Sequence, residues 1–257
     1  MRGKRISSMV LGALLAVLCT ATMSAAPVLI GTFDITGNVT VTNPGQAGCA
    51  VGVACITWTD PTALNADKAD ISASGLSGVF TAPGFSGNLA ANILDLHNPP
   101  QLVDAGGFAN TLFMSFNNNP PNFTTTVLIN FIAAGTSSTG NTLCGAAPAA
   151  GQTCTPTGSL FTFFNSGLGT SSATWAVSGI SNDLQSKWTG VFTSQFSTPY
   201  QTVLGNLAAN GFVTNSYSAT FTFSPIPEPD PMTLTACGLG LVLFSAALRR
   251  RFGRRNN

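Results

Sequence analysis

Apolar and polar residues alternate with a period of two along much of this chain, most clearly near its beginning. From Leu29 to Val41 the odd positions carry mainly apolar residues or glycine, while most even positions carry threonine, aspartate or asparagine. A period of two turns one face of a β-strand inward and the other outward. The segment therefore predicts a half-buried strand, or a hairpin that bends at Gly37-Asn38.

Similar short segments recur at intervals of about 10 residues, and residues typical of turns separate them. They are rich in Thr, Val and Phe. We expect strands at 54–58, 71–80, 89–96, 111–116, 123–133, 160–164, 173–180, 188–193 and 213–223, with a polar loop before Asp70. This pattern predicts a mainly β ectodomain, an antiparallel β-sandwich or jelly roll.

One segment breaks the alternation. Ser197-Thr198-Pro199 precedes the apolar residues Val203, Leu204 and Leu207, and Asn210-Gly211 follows them. A capping residue, a proline in the first turn and a glycine after the last turn are typical of a helix. We expect one short helix of about 10 residues here.

The C-terminal segment has a different composition. A proline-rich stretch, 225–231, contains Pro227-Glu228-Pro229, and an apolar run at 232–248 leads to Arg249, Arg250 and Arg251. At about 1.5 Å per residue the run makes a helix of about 26 Å, close to the roughly 30 Å of bilayer hydrocarbon. The pattern predicts an extended linker at 225–231, a transmembrane helix at 232–248 and a basic cytoplasmic tail at 249–257.

This order of Pro-Glu-Pro, apolar helix and arginine cluster resembles the PEP-CTERM sorting signal of Gram-negative bacteria. The resemblance covers only the tail. It implies that an exosortase, a membrane transpeptidase-like enzyme, recognises Pro227, Glu228 and Pro229 and removes the helix, and that the protein is associated with exopolysaccharide. Two alternatives stay open, a permanent anchor and a buried core helix. The uniformly apolar surface beside the arginines argues against the core helix.

The N-terminal segment has the order of a secretory signal peptide. Arg2, Lys4 and Arg5 precede an apolar run at 9–19, and small residues follow it. We therefore assign 1–25 to a signal peptide and 26–224 to the ectodomain. The expected route is export through the inner membrane, transient anchoring by the C-terminal helix, and a final place in the outer envelope or outside the cell.

The ectodomain is poor in charge. It contains two lysines, Lys68 and Lys187, against seven aspartates. Nucleic-acid-binding surfaces are rich in Lys and Arg, so this composition excludes nucleic acid as an expected partner.

Four ectodomain cysteines fall into two close pairs, Cys49 with Cys55 and Cys144 with Cys154. Disulfides are expected in an oxidising compartment, and four cysteines allow three pairings. Proximity in sequence favours the two local bridges. Neither spacing is that of a Cys-x-x-Cys zinc or redox site.

Two sets of residues are candidates for chemistry. Asp60, Asp67 and Asp70 lie in one polar stretch and are candidate calcium ligands, although their spacing differs from an EF-hand. The alternative is a solvated acidic loop. The only histidine, His97, lies near a predicted strand end without a nucleophile motif nearby, so a loop histidine is the alternative to a hydrolase.

Trp58, Trp175 and Trp188 suggest either a sugar-stacking platform or core packing, and their alternating context favours the core. The PEP-CTERM resemblance implies a non-enzymatic structural or adhesive surface protein, and we expect no cofactor. A carbohydrate-binding module with an exposed tryptophan is the alternative. A hydrolase that uses His97 or an aspartate pair is a third reading.

Overall fold

The computed structural model describes residues 28–46, 49, 55–96, 107, 109–117 and 125–227. The predicted signal peptide, transmembrane helix and basic tail lie outside these residues. So do His97, Glu228 and Pro229. The fold is therefore that of the predicted ectodomain.

The described residues form eleven strands, one α-helix and one short 3-10 helix, joined by turns and loops. This is the mainly β arrangement that the alternation predicts. The strands are β1 Gly31–Thr42, β2 Cys55–Thr59, β3 Lys68–Ile71, β4 Gly87–Ile93, β5 Thr111–Phe116, β6 Val127–Ile132, β7 Thr153–Cys154, β8 Thr162–Asn165, β9 Ser171–Ser181, β10 Ser186–Phe196 and β11 Phe212–Pro225. The helix, α1, is Tyr200–Asn210, and a short 3-10 helix covers Gly78–Thr81.

Eight of these strands form a closed antiparallel barrel. The ring runs β10-β11-β1-β3-β4-β5-β6-β9, and β9 pairs with β10 to close it. The predicted sandwich or jelly roll is therefore wrong in its architecture. The reason is that inward and outward alternation is the same in a sandwich and in a barrel, and only the pairing of the edge strands separates them.

Four long strands, β1, β11, β10 and β9, form one continuous wall of the barrel. Each outer strand of this wall has two shorter partners on its other edge. β1 pairs with β2 near Thr42 and with β3 near Ile35, while β9 pairs with β8 near Ser171 and with β6 near Ser181. The ring closes through β3 and β6, so β2 and β8 extend the wall at one end only.

The two ends of the barrel differ. The helix end contains Thr42 and Phe212, and α1 packs against β11, β8 and β9 there. The terminal end contains Gly31 and Pro225, close to the first and last described residues. These two names are used below.

Aromatic side chains fill the barrel. Phe33 stacks on Phe221 with ring centroids 5.0 Å apart, and Phe80 meets it edge-on at 4.9 Å. Trp188 stacks on Phe113 at 5.7 Å, and its Nε1 donates to the Leu128 carbonyl at 2.9 Å. These inward side chains are buried, with relative exposures of a few per cent at most, and their rings contact one another as in a protein core.

Three predictions about individual segments differ from the structure. The predicted strand 71–80 is wrong beyond Ile71, because the chain turns at Gly75 and Gly78, whose φ angles are +82° and +60°, and then forms the 3-10 helix. The predicted loop before Asp70 includes β3, which begins at Lys68. β1 is one continuous strand and does not bend into a hairpin at Gly37.

The predicted helix is confirmed, with a different N-terminal cap. Gly211 ends it in a left-handed conformation, with φ +80°. At its start no side-chain cap comes from the preceding residues. The Tyr200 N–H instead donates to the Asn165 side-chain oxygen at 3.0 Å, so a distant residue satisfies a free amide of the first turn.

Candidate functional site

Within the described residues, the helix end contains an apolar cavity between α1 and the strands. Val203 and Leu204 of α1 face Val39, Phe163 and Trp175 across it. Its volume is about 40 Å³. That is room for a few water molecules at roughly 10–15 Å³ each, and too little for a sugar ring. We therefore place no ligand in it.

The three tryptophans line the core and not the surface. Trp58, Trp175 and Trp188 have relative exposures of 1%, 4% and 1%. Trp58 and Trp175 pack on Phe192 with centroids 5.0 and 5.1 Å away. The favoured prediction of core packing is therefore confirmed, and the alternative of an exposed sugar-stacking tryptophan is wrong.

Some buried polar atoms in this core have no protein partner. They include the indole N–H groups of Trp58 and Trp175 and the hydroxyl of Tyr217. Burial, and after it the charge of Asp70, raises the pKa of the Tyr217 phenol above its usual range, so the hydroxyl stays protonated. These donors cost stability and lie too deep to contact a polymer at the surface.

Asp60 organises a loop and does not present its carboxylate to solvent. Its Oδ1 accepts the N–H groups of Leu64 and Asn65 at 2.9 and 2.8 Å, and the Thr62 hydroxyl donates to Oδ2. Asp70 accepts the Leu89 N–H at 2.7 Å, and Asp67 has a left-handed φ of +56°. Among the described residues, no three His, Cys, Asp or Glu side chains gather to hold a metal ion. The calcium assignment gains no support from this arrangement and stays a prediction.

The hydrogen bonds to Asp60 predict an acid-dependent stability. The Thr62 hydroxyl, and after it the Asn65 N–H, hold the pKa of the Asp60 carboxyl at about 2, below its ordinary value of 3.8. Because the folded-state pKa is the lower one, this contribution is present above about pH 4 and is lost as the pH falls through about 2. Urea unfolding of wild type and Asp60→Asn should give a difference in free energy that shrinks between pH 4 and pH 2. A difference independent of pH would contradict the prediction, and Thr62→Val should move the carboxyl pKa upward in an NMR titration.

The outer surface of the long wall carries ordered rows of hydroxyl groups, which we call the hydroxyl face. The register places side chains of β9, β10, β11 and β1 next to one another in each row. One row is Thr174, Thr193, Ser218 and Thr36, and another is Ser178, Thr189, Thr222 and Thr32. Between them lies a row of Ala176, Val191, Thr220 and Asp34.

The spacing on the hydroxyl face follows from strand geometry. Neighbouring strands are about 4.8 Å apart, which sets the spacing of residues along a row, and rows two residues apart are separated by about 7 Å. Val191, with 51% of its surface exposed, gives the centre of the face an apolar spot. At the edges, Thr32 and Thr174 already donate to the carbonyls of Gly75 and Thr162. The face thus combines rows of hydroxyl groups with a small apolar centre and one carboxylate, that of Asp34, at its β1 edge.

A polar hollow adjoins the hydroxyl face at Thr36. Asp70, Ser72, Ser86 and Asn88 also line it, and its volume is about 350 Å³. The hollow is shallow and open to solvent. It adds a second carboxylate, that of Asp70, to the β1 edge of the face, where Asp34 already lies.

The tail leaves the barrel directly after β11. In the described part of the chain the final main-chain hydrogen bond there runs from the Ile226 N–H to the Gln185 carbonyl, at 2.8 Å. Pro227, the first residue of the predicted sorting motif, is exposed. Pro225 is the last residue of β11, so the predicted extended linker begins inside the sheet. No helix in the described part of the chain has the length and apolar character needed to cross a bilayer.

Both predicted disulfides are confirmed. Cys49 and Cys55 join the turn after β1 to the start of β2, and Cys144 and Cys154 tie a long turn to β7. The second bridge also supports α1, because the Tyr200 hydroxyl donates to the carbonyl of Leu143 at 3.1 Å. Two disulfides in one domain point to an extracytoplasmic location.

Comparisons with known protein families, with curated proteins and with solved structures found no match.

The sequence analysis did not predict the hydroxyl face. The alternation in β1 and β11 predicts that their polar residues face outward, and Thr36 and Ser218 are among these residues. Nothing in the sequence states that these two residues are cross-strand neighbours, or that β10 and β9 continue the same row. Pairing of four strands was the missing information.

Proposed function

We propose that this chain is an exported cell-envelope protein that is anchored transiently by its C-terminal helix and sorted by an exosortase. The observation that carries this proposal is the way the chain leaves the fold. Among the described residues the final main-chain hydrogen bond is that of Ile226, and Pro227 after it is exposed, which supports access of an enzyme to a motif that begins at Pro227. The two disulfides agree with passage through an oxidising compartment.

The sorted product is a non-enzymatic structural or adhesive protein, and the hydroxyl face is the surface that contacts exopolysaccharide. Sugars present hydroxyl groups around apolar C–H faces. Rows of Ser and Thr hydroxyls around Val191 complement both features, and Asp34 lies at the edge of the face. The same surface would serve a carbohydrate-binding module, which is the second candidate and differs only in binding a defined glycan.

Mass spectrometry of the mature C-terminus tests the sorting step. In a host that carries an exosortase, we expect the protein in the outer fraction to end near Pro227. The Glu228→Ala variant is the matched control, and it should keep its tail and stay in the inner membrane. A wild-type chain that is recovered intact to Asn257 in the inner membrane would make the protein a permanently anchored one.

A pair of isosteric substitutions tests the surface. Thr189→Val with Thr193→Val removes the hydroxyls on either side of Val191 while keeping side-chain shape and strand preference. If each hydroxyl makes one net hydrogen bond worth about 1 kcal/mol, affinity for exopolysaccharide should fall by about tenfold or more. Affinity electrophoresis in gels that contain the exopolysaccharide or dextran measures this.

The control pair is Thr142→Val with Thr202→Val, because both side chains are exposed and lie away from the hydroxyl face. This variant should migrate like wild type. Equal retardation of wild type and the Thr189 and Thr193 variant would remove the hydroxyl face from the proposal and leave the sorting step untouched.

A further inference from the structure

Both ends of the described chain lie at the terminal end of the barrel. Gly31 pairs with Phe223 and Ser186 pairs with Pro225. The Leu29 N–H donates to the Ser186 hydroxyl at 2.8 Å, while Ile226 bonds to Gln185 next to it. The tail therefore leaves from the same small area in which β1 begins.

Exposed apolar side chains gather in this area, and we call them the apolar rim. Ile30, Val79 and Leu184 have exposures of 48%, 37% and 60%, and Ile226 is partly exposed. The Val79 N–H donates to the Ile30 carbonyl at 3.0 Å, which joins these two residues. Leu184 precedes Gln185, the hydrogen-bond partner of Ile226. The rim thus consists of two pairs of apolar residues at the end of the barrel from which the tail leaves.

Leu184 occupies an unfavourable backbone conformation for an exposed turn. Its φ is +60°, in the left-handed region that glycine and asparagine adopt readily and that bulky residues rarely adopt. It also leaves most of an isobutyl group in water. Unfavourable backbone conformations occur preferentially at functional sites, so we take Leu184 as a candidate contact residue.

The length of the linker limits how far the rim can be from a membrane. Residues 227–231 separate Ile226 from the apolar run that begins at Met232. An extended chain covers at most about 3.6 Å per residue, so the rim lies within about 20 Å of the start of the membrane helix. A barrel held this close turns its terminal end toward the lipid.

Two charged side chains, Asp183 and Lys187, lie near the rim. The Asp183 carboxylate is partly satisfied by hydrogen bonds from the Ser181 hydroxyl and the Gln185 N–H, and it keeps its charge. Lys187, exposed on β10, pairs in register with Ser224 and brings a cation to the level of the headgroups. An apolar contact flanked by a lysine suits an interface with anionic lipids.

We propose that the apolar rim rests on the bilayer surface while the chain is anchored, with Leu184 and Val79 among the headgroups. The proposal depends on the membrane helix of the proposed function. Contact with lipid holds the barrel upright and keeps the Pro-Glu-Pro segment at the depth of the membrane-bound processing enzyme.

Spin labels at the rim test this contact in the mature chain with its tail intact. Cys237→Ala removes the thiol of the apolar run, and a nitroxide is then attached at Leu184→Cys, at Val79→Cys, or at Phe212→Cys as control. Phe212 is equally exposed, at 53%, and lies at the helix end. The proteins are reconstituted in vesicles of phosphatidylethanolamine and phosphatidylglycerol, and collisions with oxygen and with a water-soluble nickel complex are measured.

We expect the ratio of oxygen to nickel collisions to rise several-fold at Leu184 and Val79 on reconstitution, and to stay unchanged at Phe212. Equal ratios at all three positions in vesicle-bound protein would overturn the rim contact. Flotation of the vesicles separates this failure from the other one, because a chain that does not float refutes the membrane helix itself. If Leu184→Cys fails to fold, the label at Val79 decides.

Discussion

Replacing Gly179 by alanine is expected to prevent the barrel from closing. Gly179 lies in β9 between Ile129 of β6 and Trp188 of β10. A Cβ atom there would lie 1.9 Å from the Leu128 carbonyl oxygen and 2.9 Å from the Ile129 Cα, both main-chain atoms. The same carbonyl accepts the indole N–H of Trp188, so the clash falls on the strand pair that completes the ring.

Relief of this clash requires β6 and β9 to move apart, and we expect the free energy of unfolding to fall by about 4 kcal/mol or more. Because the free energy of unfolding of a small domain is about 5–15 kcal/mol, the variant should be largely unfolded or recovered in poor yield. Circular dichroism and urea unfolding measure this. Gly205→Ala is the control. It adds a methyl group to α1 with no atom within 4 Å and should stabilise the protein by about 0.5–1 kcal/mol. A Gly179→Ala protein that unfolds at the wild-type urea concentration would contradict the predicted closure.

We expect Phe33→Ala to lower the free energy of unfolding by about 3–5 kcal/mol. Phe33 is fully buried, and its ring lies at the centre of an aromatic cluster at the terminal end of the barrel. Five rings surround it at centroid distances between 4.9 and 5.8 Å, those of Phe80, Phe85, Phe116, Phe221 and Phe223. Truncation removes the transfer energy of the ring and its edge-on contacts, and leaves a cavity that β-strands cannot collapse into.

The matched control is Phe212→Ala, also a phenylalanine of the long wall and 53% exposed. We expect a change below about 1 kcal/mol there. Urea unfolding of both variants gives the comparison. Similar losses for Phe33 and Phe212 would contradict the assignment of Phe33 to the centre of the core.

Local chemistry made much of this fold predictable. Alternation alone assigned Tyr217, Ala219 and Phe221 to one face of the last strand, and all three are buried. The proline and glycine around α1 located the helix, because their backbone preferences act on neighbouring residues. Proximity in sequence predicted both disulfides.

The pairing of strands that are distant in the chain could not be predicted from the sequence. Closure depends on β9 meeting β10 on one side and β6 on the other, and no local preference of Gly179 or Val127 records those partners. The 3-10 helix at Gly78–Thr81 looked like a strand because Val79 and Phe80 favour strands, while the left-handed φ of Gly78 overrides them.

The candidate surface was hidden for a similar reason. Ordinary threonines such as Thr193 and Thr36 carry no motif, and their significance arises when pairing places them in one row. The tryptophans show the reverse case, in which a suggestive residue type has no surface role. Tryptophan often stacks on sugars, but Trp58, Trp175 and Trp188 point inward and are buried in the core.

The pairing of β11 also determines how the protein bears mechanical load. β11 is hydrogen-bonded along one edge to β1 and along the other to β10, and it leads straight into the tail. A pull on the chain beyond Ile226 acts along the axis of β11, so both ladders are sheared at once and their hydrogen bonds share the force. Traction on the tail therefore meets the strongest part of the barrel, whereas the same force across the strand would open the bonds one after another.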